Sequence, residues 1–450
     1  MNVADSQRLE SAFEKLGLES TPRAANADVI VLNTCVVRQS AEDKAYSYLQ
    51  SLRPIKDKRP ETVIGLMGCL VGIKNNGKLR ERFPWVDVFA PPSDPAPVVD
   101  FLRQREGLAI ERVEVEQRFA AQDNEIVLPL HQRGKLVAAH VPVVLGCSHA
   151  CAFCIIPFRR GVERSRSVDE IMTEARSLVA QGVKEITLLG QIVDRYGYDL
   201  KSQTPALATS ASAGASVSNF KFQNETPLVD VLRLLNEVEG LERIRFLTSH
   251  PNWMTDELLD AVADLPKVCE HIEAPAQAGD NEVLERMKRG YTADDYRRLV
   301  ERIRHKLPSG SIATDIIVGF PGETVAQFRA TYNLLAELKL DVAHIAKYSP
   351  RPQTVAQRTM PDDVPPEEKE RRRKAIEDLQ ERIVGEINAR FLDQTVEVLV
   401  EDQHKGKWRG RTRTNKLVFF EGNQGDWRGK LANVRITWTG PWSMQGAVCE

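Results

Sequence analysis

Three cysteines, Cys147, Cys151 and Cys154, fall within eight residues of the stretch GCSHACAFCIIP. Thiolates bind soft metals and iron–sulfur clusters, and so short a spacing lets one loop offer three corners of a metal site. An isolated free cysteine is ordinarily a small buried hydrophobe; three on one loop just after an apolar run is a different pattern. A structural zinc needs four protein ligands, and His149 supplies the fourth only if the loop folds back sharply.

Two further thiols, Cys35 and Cys69, each close an apolar run, DVIVLNTC and TVIGLMGC. Ligands of open α/β sheets gather beyond the carboxyl ends of the strands, so this pair is expected to face one crevice. Singly, each reads as a strand-end core cysteine. Cys269, inside an apolar run, reads as core and Cys449 as an exposed end. Near the C-terminus HKGKWRGRTRTNKLVFF places Lys405, Lys407, Arg409, Arg411, Arg413 and Lys416 around Trp408. Strand alternation sets Arg409, Arg411 and Arg413 on one face. Cations neutralise phosphates and aromatics stack on unpaired bases; the competing reading is a solvated charged strand.

These groups need a scaffold. Residues 1–100 read as an α/β domain, with two buried parallel strands around the helical SAEDKAYSYLQSLR. Residues 133–365 alternate six strands with helices, which implies a parallel sheet, open or curved into a barrel. The first strand is KLVAAHVPVVLGC, and the first helix opens on a capping box from Ser167 to Glu170. Residues 201–225, rich in Ser, Ala and Thr, read as a flexible insertion. A charged helix over 366–392 leads to a segment, 393–447, patterned as a small antiparallel β-barrel or sandwich. GFPGET is a strand-to-helix turn and not a phosphate cradle, since no Lys-Ser/Thr follows.

Bulk properties bound the partners. The 450 residues are 42% hydrophobic and 28% charged, with a net charge of −2, so nucleic-acid binding must rest on a local patch. No apolar run of 18 residues occurs, and the N-terminus is acidic and amphipathic with no signal-peptide core. Seven cysteines, an odd number, argue against a disulfide framework. A cytoplasmic monomer with no membrane contact is expected.

The C-x3-C-x2-C loop closely resembles that of the radical S-adenosylmethionine (SAM) enzymes. The resemblance implies that Cys147, Cys151 and Cys154 hold a 4Fe-4S cluster whose open iron is chelated by SAM, which explains a set one ligand short. It places Phe153 beside the adenine, and Gln191, Gln277 and Asp315 at strand ends that grip SAM, with Arg160 and Arg166 following the loop. NTCVVRQSAEDKA, GLMGCLVG, PFRRGVERSRS, DIIVGFPGET and YSPRPQT resemble the methylthiotransferases within that superfamily. That family implies an auxiliary 4Fe-4S cluster on Cys35, Cys69 and a third cysteine. The opening MNVADS matches the family's GCQMN-x-x-D-S from its methionine onward, so the expected cysteine falls just before residue 1. Either the chain starts late or the auxiliary cluster has two cysteine ligands. The end of the chain resembles a TRAM domain, which implies RNA contact through Lys407, Trp408, Arg409, Arg411 and Arg413.

The activity implied is methylthiolation at C2 of the isopentenylated adenosine 3′ of the anticodon in tRNA, with electrons from a donor such as a flavodoxin or ferredoxin. The opening Met-Asn and GRTRTNKLVFF favour that substrate over a threonylcarbamoylated adenosine or a ribosomal-protein aspartate. Two rivals stand beside it: an RNA-modifying metalloenzyme without SAM chemistry, and an RNA-binding iron–sulfur protein that inserts no sulfur.

Overall fold

After a first helix, Asn2–Lys15, apolar runs followed by mixed-charge helices build βα units. The computed structural model describes residues 1–37, 39–74, 77–105, 128–201, 220–422 and 425–449. In the N-terminal domain β1 (Val29–Thr34), β2 (Val63–Gly68) and β3 (Val88–Ala90) pair in parallel, in that order. The central β2 is buried along its whole length, and its alternate residues serve two cores. Ile64 and Leu66 meet Leu49 and Leu52 of the helix Gln39–Lys58. Val63 and Met67 meet Leu9 and Leu16 of the opposite layer.

The central domain is a curved parallel sheet. It comprises β4 (Ala138–Pro142), β7 (Glu185–Leu189), β8 (Arg243–Leu247), β9 (His271–Glu273), β10 (Ser311–Val318) and β11 (Val342–Lys347). The two three-stranded parts, β4-β7-β8 and β9-β10-β11, join at a parallel bridge from Ile244 to Val268. This is a partial (β/α) barrel, the curved one of the two sheet forms expected. The run 135–147 differs from expectation: it is not one strand. After Pro142 the chain leaves the sheet, and β5 (Val144–Leu145) pairs antiparallel with β6 (Arg164–Ser165). That ribbon pinches off the cysteine loop. Cys269 lies just before β9, buried but outside any strand.

Helices cover the outside of the sheet, and the Ser167–Glu170 capping box forms as the sequence predicts. The helix Pro366–Ala389 buries Ile376, Leu379 and Ile383 in the main core beside β11. Of the expected insertion, residues 202–219 lie outside the described residues. The C-terminal β12 (Thr395–His404), β13 (Lys407–Thr412), β14 (Leu417–Glu421), β15 (Leu431–Thr439) and β16 (Met444–Val448) close into a barrel, ordered β12-β13-β14-β16-β15. Its strands are antiparallel except β14 and β16, which run parallel because the β15–β16 hairpin folds back to seal the gap. Among the described residues, no helix is long and apolar enough to cross a membrane.

Candidate metal centre

Gly146 starts the cysteine loop in a left-handed conformation, φ 71°, and a Cβ there would sit 2.1 Å from the Val162 oxygen. Only glycine lets the two ends of the loop approach this closely. The Cys147 N–H then donates to Gly161 O at 3.0 Å. Farther along, Ala152 N–H donates to Met287 O at 2.9 Å and Ala356 N–H to Ala152 O at 2.8 Å, tying the loop to the barrel mouth. Phe153 packs partly buried in the cluster of Ala152, Phe320 and Tyr348.

Burial pushes the Cys147 thiol up to about 11 and the Cys154 thiol up to about 12. Binding iron displaces those protons, so metal and thiolate stabilise one another. Among the described residues the three sulfurs do not all come within 4.8 Å of one another. The corners of a single zinc with 2.3 Å bonds would stand only ~3.8 Å apart. A multi-iron cluster suits the wider spread.

Beneath the loop lie groups not expected from the sequence. Arg289 is 4% exposed and donates to the Cys151 sulfur at 3.2 Å, the Tyr291 hydroxyl at 2.9 Å and Pro275 O at 3.1 Å. From the other side, His149 Nδ1 stands 3.2 Å from the same sulfur, and its ring packs 4.5 Å from that of His250. Burial and the nearby Arg289 cation push His250 down to about 2, so it is neutral. Its backbone N–H donates to both oxygens of Asp194, at 3.1 and 3.0 Å, and burial pushes that carboxyl up to about 8. Asp194 and His250 lie in EITLLGQIVDRYG and RIRFLTSHP, just past β7 and β8, whereas Arg289, past the helix Asn281–Arg286, has no such marker.

The strand-end residues divide. Gln277, at φ 69°, is 8% exposed, and its Oε1 is buried with no partner. Its backbone is fixed by bonds to Asp315 O and from Ile317 N–H. Asp315 is not at a strand end as expected: it lies inside β10, opposite His344 in the β10–β11 register, and burial with the Asp315 charge raises nearby Glu273. Gln191 Nε2 reaches Met1 Sδ at 3.0 Å. Arg166 instead joins Glu174, which Arg8 also holds, in an ion cluster within the scaffold.

Arg160 connects the cysteine loop with the N-terminal domain. It ends the short helix Ile156–Arg160 and donates to Ser93 Oγ at 3.0 Å and Asn2 Oδ1 at 2.9 Å. It also faces the Cys69 thiol, which burial raises while the guanidinium opposes that rise. Cys69 is buried and Cys35 half-buried, and Cys35, Arg160 and the Met1 amino group are close enough to influence one another electrostatically. Cys35 and Cys69 directly follow the carboxyl ends of the paired parallel strands β1 and β2.

Three family models match the chain: the radical SAM superfamily over residues 141–335, an uncharacterized protein family (UPF0004) over 1–91, and the TRAM domain over 390–448. The chain is 47% identical over 454 residues to the tRNA-2-methylthio-N(6)-dimethylallyladenosine synthase of Roseiflexus sp., covering 100% of this chain and 88% of that protein. It is 46% identical to the protein of the same name from Herpetosiphon aurantiacus, covering 99% and 94%. The chain belongs to this methylthiotransferase family. It is accordingly a radical SAM enzyme of the class that transfers sulfur-containing groups, working with SAM and 4Fe-4S clusters.

In this methylthiotransferase the C-terminal cations serve two different purposes. Trp408 is 5% exposed and sits in the TRAM barrel core with Val418 and Phe420. The expectation that it stacks on RNA is therefore corrected: alternation that turns Arg409 outward turns Trp408 inward. Arg413 follows the last residue of β13 and pairs with Glu270, donating also to Val268 O at 2.6 Å. It fastens the TRAM barrel to the parallel sheet and does not face outward with Arg409. Lys407 and Arg409 stay partly exposed, beside Glu421 and Asp402, and Arg411 beside Glu401.

Proposed function

We propose that this chain methylthiolates C2 of the isopentenylated adenosine 3′ of the anticodon in tRNA. The observation that carries the reading is Arg160, which ends the helix after Cys154 and faces Cys69, so that one side chain links the two cysteine-bearing segments. In this reading Cys147, Cys151 and Cys154 hold the cluster that engages SAM, and Cys35 and Cys69 hold the auxiliary cluster. The bound groups would supply an electron to cleave SAM, a radical to abstract hydrogen, and the sulfur to be transferred.

The chain's own residues position the substrates. Gln277 offers its unpartnered Oε1 to SAM, with Gln191 just past the end of β7, Asp315 within β10 and Phe153 beside the adenine. RNA contact falls to Lys407, Arg409 and Arg411. Strand register places Arg409 beside Phe419, Phe419 beside Gln445 and Gln445 beside Trp438, in one row. Lys407 Nζ reaches the same Gln445, and Trp438 is 49% exposed. Aromatics with cations between them suit unpaired bases on a phosphate backbone. The enzyme acts as a cytoplasmic monomer and takes electrons from a flavodoxin or ferredoxin.

The test is anaerobically reconstituted protein given SAM, dithionite and tRNA carrying isopentenylated adenosine, with digested nucleosides weighed by mass spectrometry. A methylthio gain on that nucleoside is expected, lost in Cys147→Ala together with SAM cleavage. Cys35→Ala should still cleave SAM and make no product. SAM cleavage by the unaltered protein without any methylthio product would overturn the proposal.

A further inference from the structure

We propose that Arg289 tunes the cluster held by Cys147, Cys151 and Cys154, donating a charged hydrogen bond to the Cys151 sulfur that makes the cluster easier to reduce. The inference rests on the assignment of that cluster to these three cysteines.

Burying a guanidinium is costly unless an anion and further hydrogen bonds compensate it. Arg289 is 4% exposed, and its hydrogen-bond partners are a tyrosine hydroxyl, a backbone carbonyl and the Cys151 sulfur. None is a carboxylate. The elsewhere buried Arg245, by contrast, has Glu185 at 2.9 Å, and Arg372 has Glu323 at 2.6 Å. The one partner of Arg289 able to carry negative charge through metal binding is Cys151. With a neutral thiol there the guanidinium is a poorly compensated buried charge; with an iron-bound thiolate the pair is matched.

The bond is also aimed. Tyr291 receives from Nε while donating its own proton toward Pro275 O and Ala276 O, at 2.9 and 2.8 Å. Pro275 O holds Nη2. Nη2 is thus fixed to the loop after β9 directly and Nε through Tyr291, which leaves Nη1 pointed at the sulfur. Cys147 and Cys154 receive backbone N–H groups, from His149 and Ile156. Of the three, Cys151 is the one with a hydrogen bond from a buried cation. Hydrogen bonds to cluster sulfurs withdraw electron density and raise the reduction potential.

The experiment uses full-length protein carrying Cys35→Ala and Cys69→Ala, so that one cluster is observed, with Arg289→Met, Arg289→Lys and Tyr291→Phe added singly. Iron per chain is measured first, then the midpoint by electron paramagnetic resonance during a redox titration without SAM. We expect unchanged iron and, in Arg289→Met, about a tenfold lower ratio of reduced to oxidised cluster at a fixed potential, or about 59 mV for one electron. Lys should recover part of the shift. An unmoved midpoint with normal iron would overturn the proposal. If the Met variant takes up no iron, Tyr291→Phe decides: a shift of the same sign upholds the tuning and no shift refutes it. Absence of iron from the parent protein as well would instead refute the cluster assignment.

Discussion

Arg245, on β8, donates to the backbone oxygen of Arg413 at 2.6 Å, across the boundary between the parallel sheet and the TRAM barrel. A second nitrogen reaches Thr412 O at 2.7 Å, and Nε holds Glu185. Neighbouring Arg243 does the same for Arg411 O. These contacts come from the amino-terminal halves of the strands, so the TRAM barrel is fastened to the end of the sheet opposite the cysteine loop.

Removing Arg245 therefore strands a buried carboxylate and two carbonyls. Arg245→Met should cost about 3–5 kcal/mol of stability, read as a lower urea midpoint. Arg413→Ala, whose partner Glu270 is 30% exposed, should cost about 1–2 kcal/mol. It should leave the salt dependence of tRNA binding unchanged. A salt slope shallower by about one in Arg413→Ala, with unaltered stability, would return that arginine to the RNA surface.

The two tryptophans should separate packing from recognition. Trp408→Ala removes a core side chain and should cost about 3–5 kcal/mol of stability. Trp438→Ala should leave the melting temperature within a degree or two and weaken tRNA binding by about 1–3 kcal/mol, the range for a stacked base. Lys407→Ala and Arg409→Ala should each flatten the salt slope by about one. Equal tRNA affinity in Trp438→Ala and the parent would remove the aromatic row from the interface.

What could be read beforehand follows the range of the interactions. The Cys147, Cys151 and Cys154 set is local, so spacing alone exposed it. The outward turn of Arg409 follows from strand alternation, which is also local. The same alternation buries Trp408, a consequence that composition concealed. Arg413 lies past the end of β13, and its direction is set by Glu270, 143 residues away. Arg289 meets Cys151 across 138 residues. Such pairings appear only once the sheet has curved and brought separate strand ends together.

His271 gives the domain boundary a pH dependence. It is buried with Nδ1 2.7 Å from Ser311 Oγ and Nε2 3.4 Å from Asn415 Nδ2. Burial, together with Arg245, Lys416, Arg411 and His344 around it, pushes it down to about 3. The folded protein keeps it neutral, whereas the unfolded chain takes a proton below about 6.5. Its contribution is present above that value and is lost as the pH falls from about 6.5 towards 3. Between pH 7 and 5.5 it should remove about 1 kcal/mol. His271→Gln should lose correspondingly less over the same interval in urea titrations. Parallel curves for parent and variant would show that His271 is not the group responsible.

Gly146 tests whether the cysteine loop must close tightly to hold its metal. Its φ of 71° puts the Cβ of any other residue 2.1 Å from Val162 O and 2.7 Å from Gly161 O. Both are backbone atoms, and Gly161 O is the acceptor that fixes Cys147 N–H. Alanine must push the loop's two ends apart and carry Cys147 with them. Gly134 has nearly the same φ, 68°, and nothing within 4 Å of its Cβ. Gly134→Ala isolates the left-handed strain, about 1–2 kcal/mol, and should leave the iron content unchanged. Gly146→Ala should lose about four irons per chain after reconstitution, and with them SAM cleavage. Full iron loading in Gly146→Ala would mean that the loop tolerates opening and that ligand spacing alone, without the pinch of β5 and β6, suffices to bind the cluster.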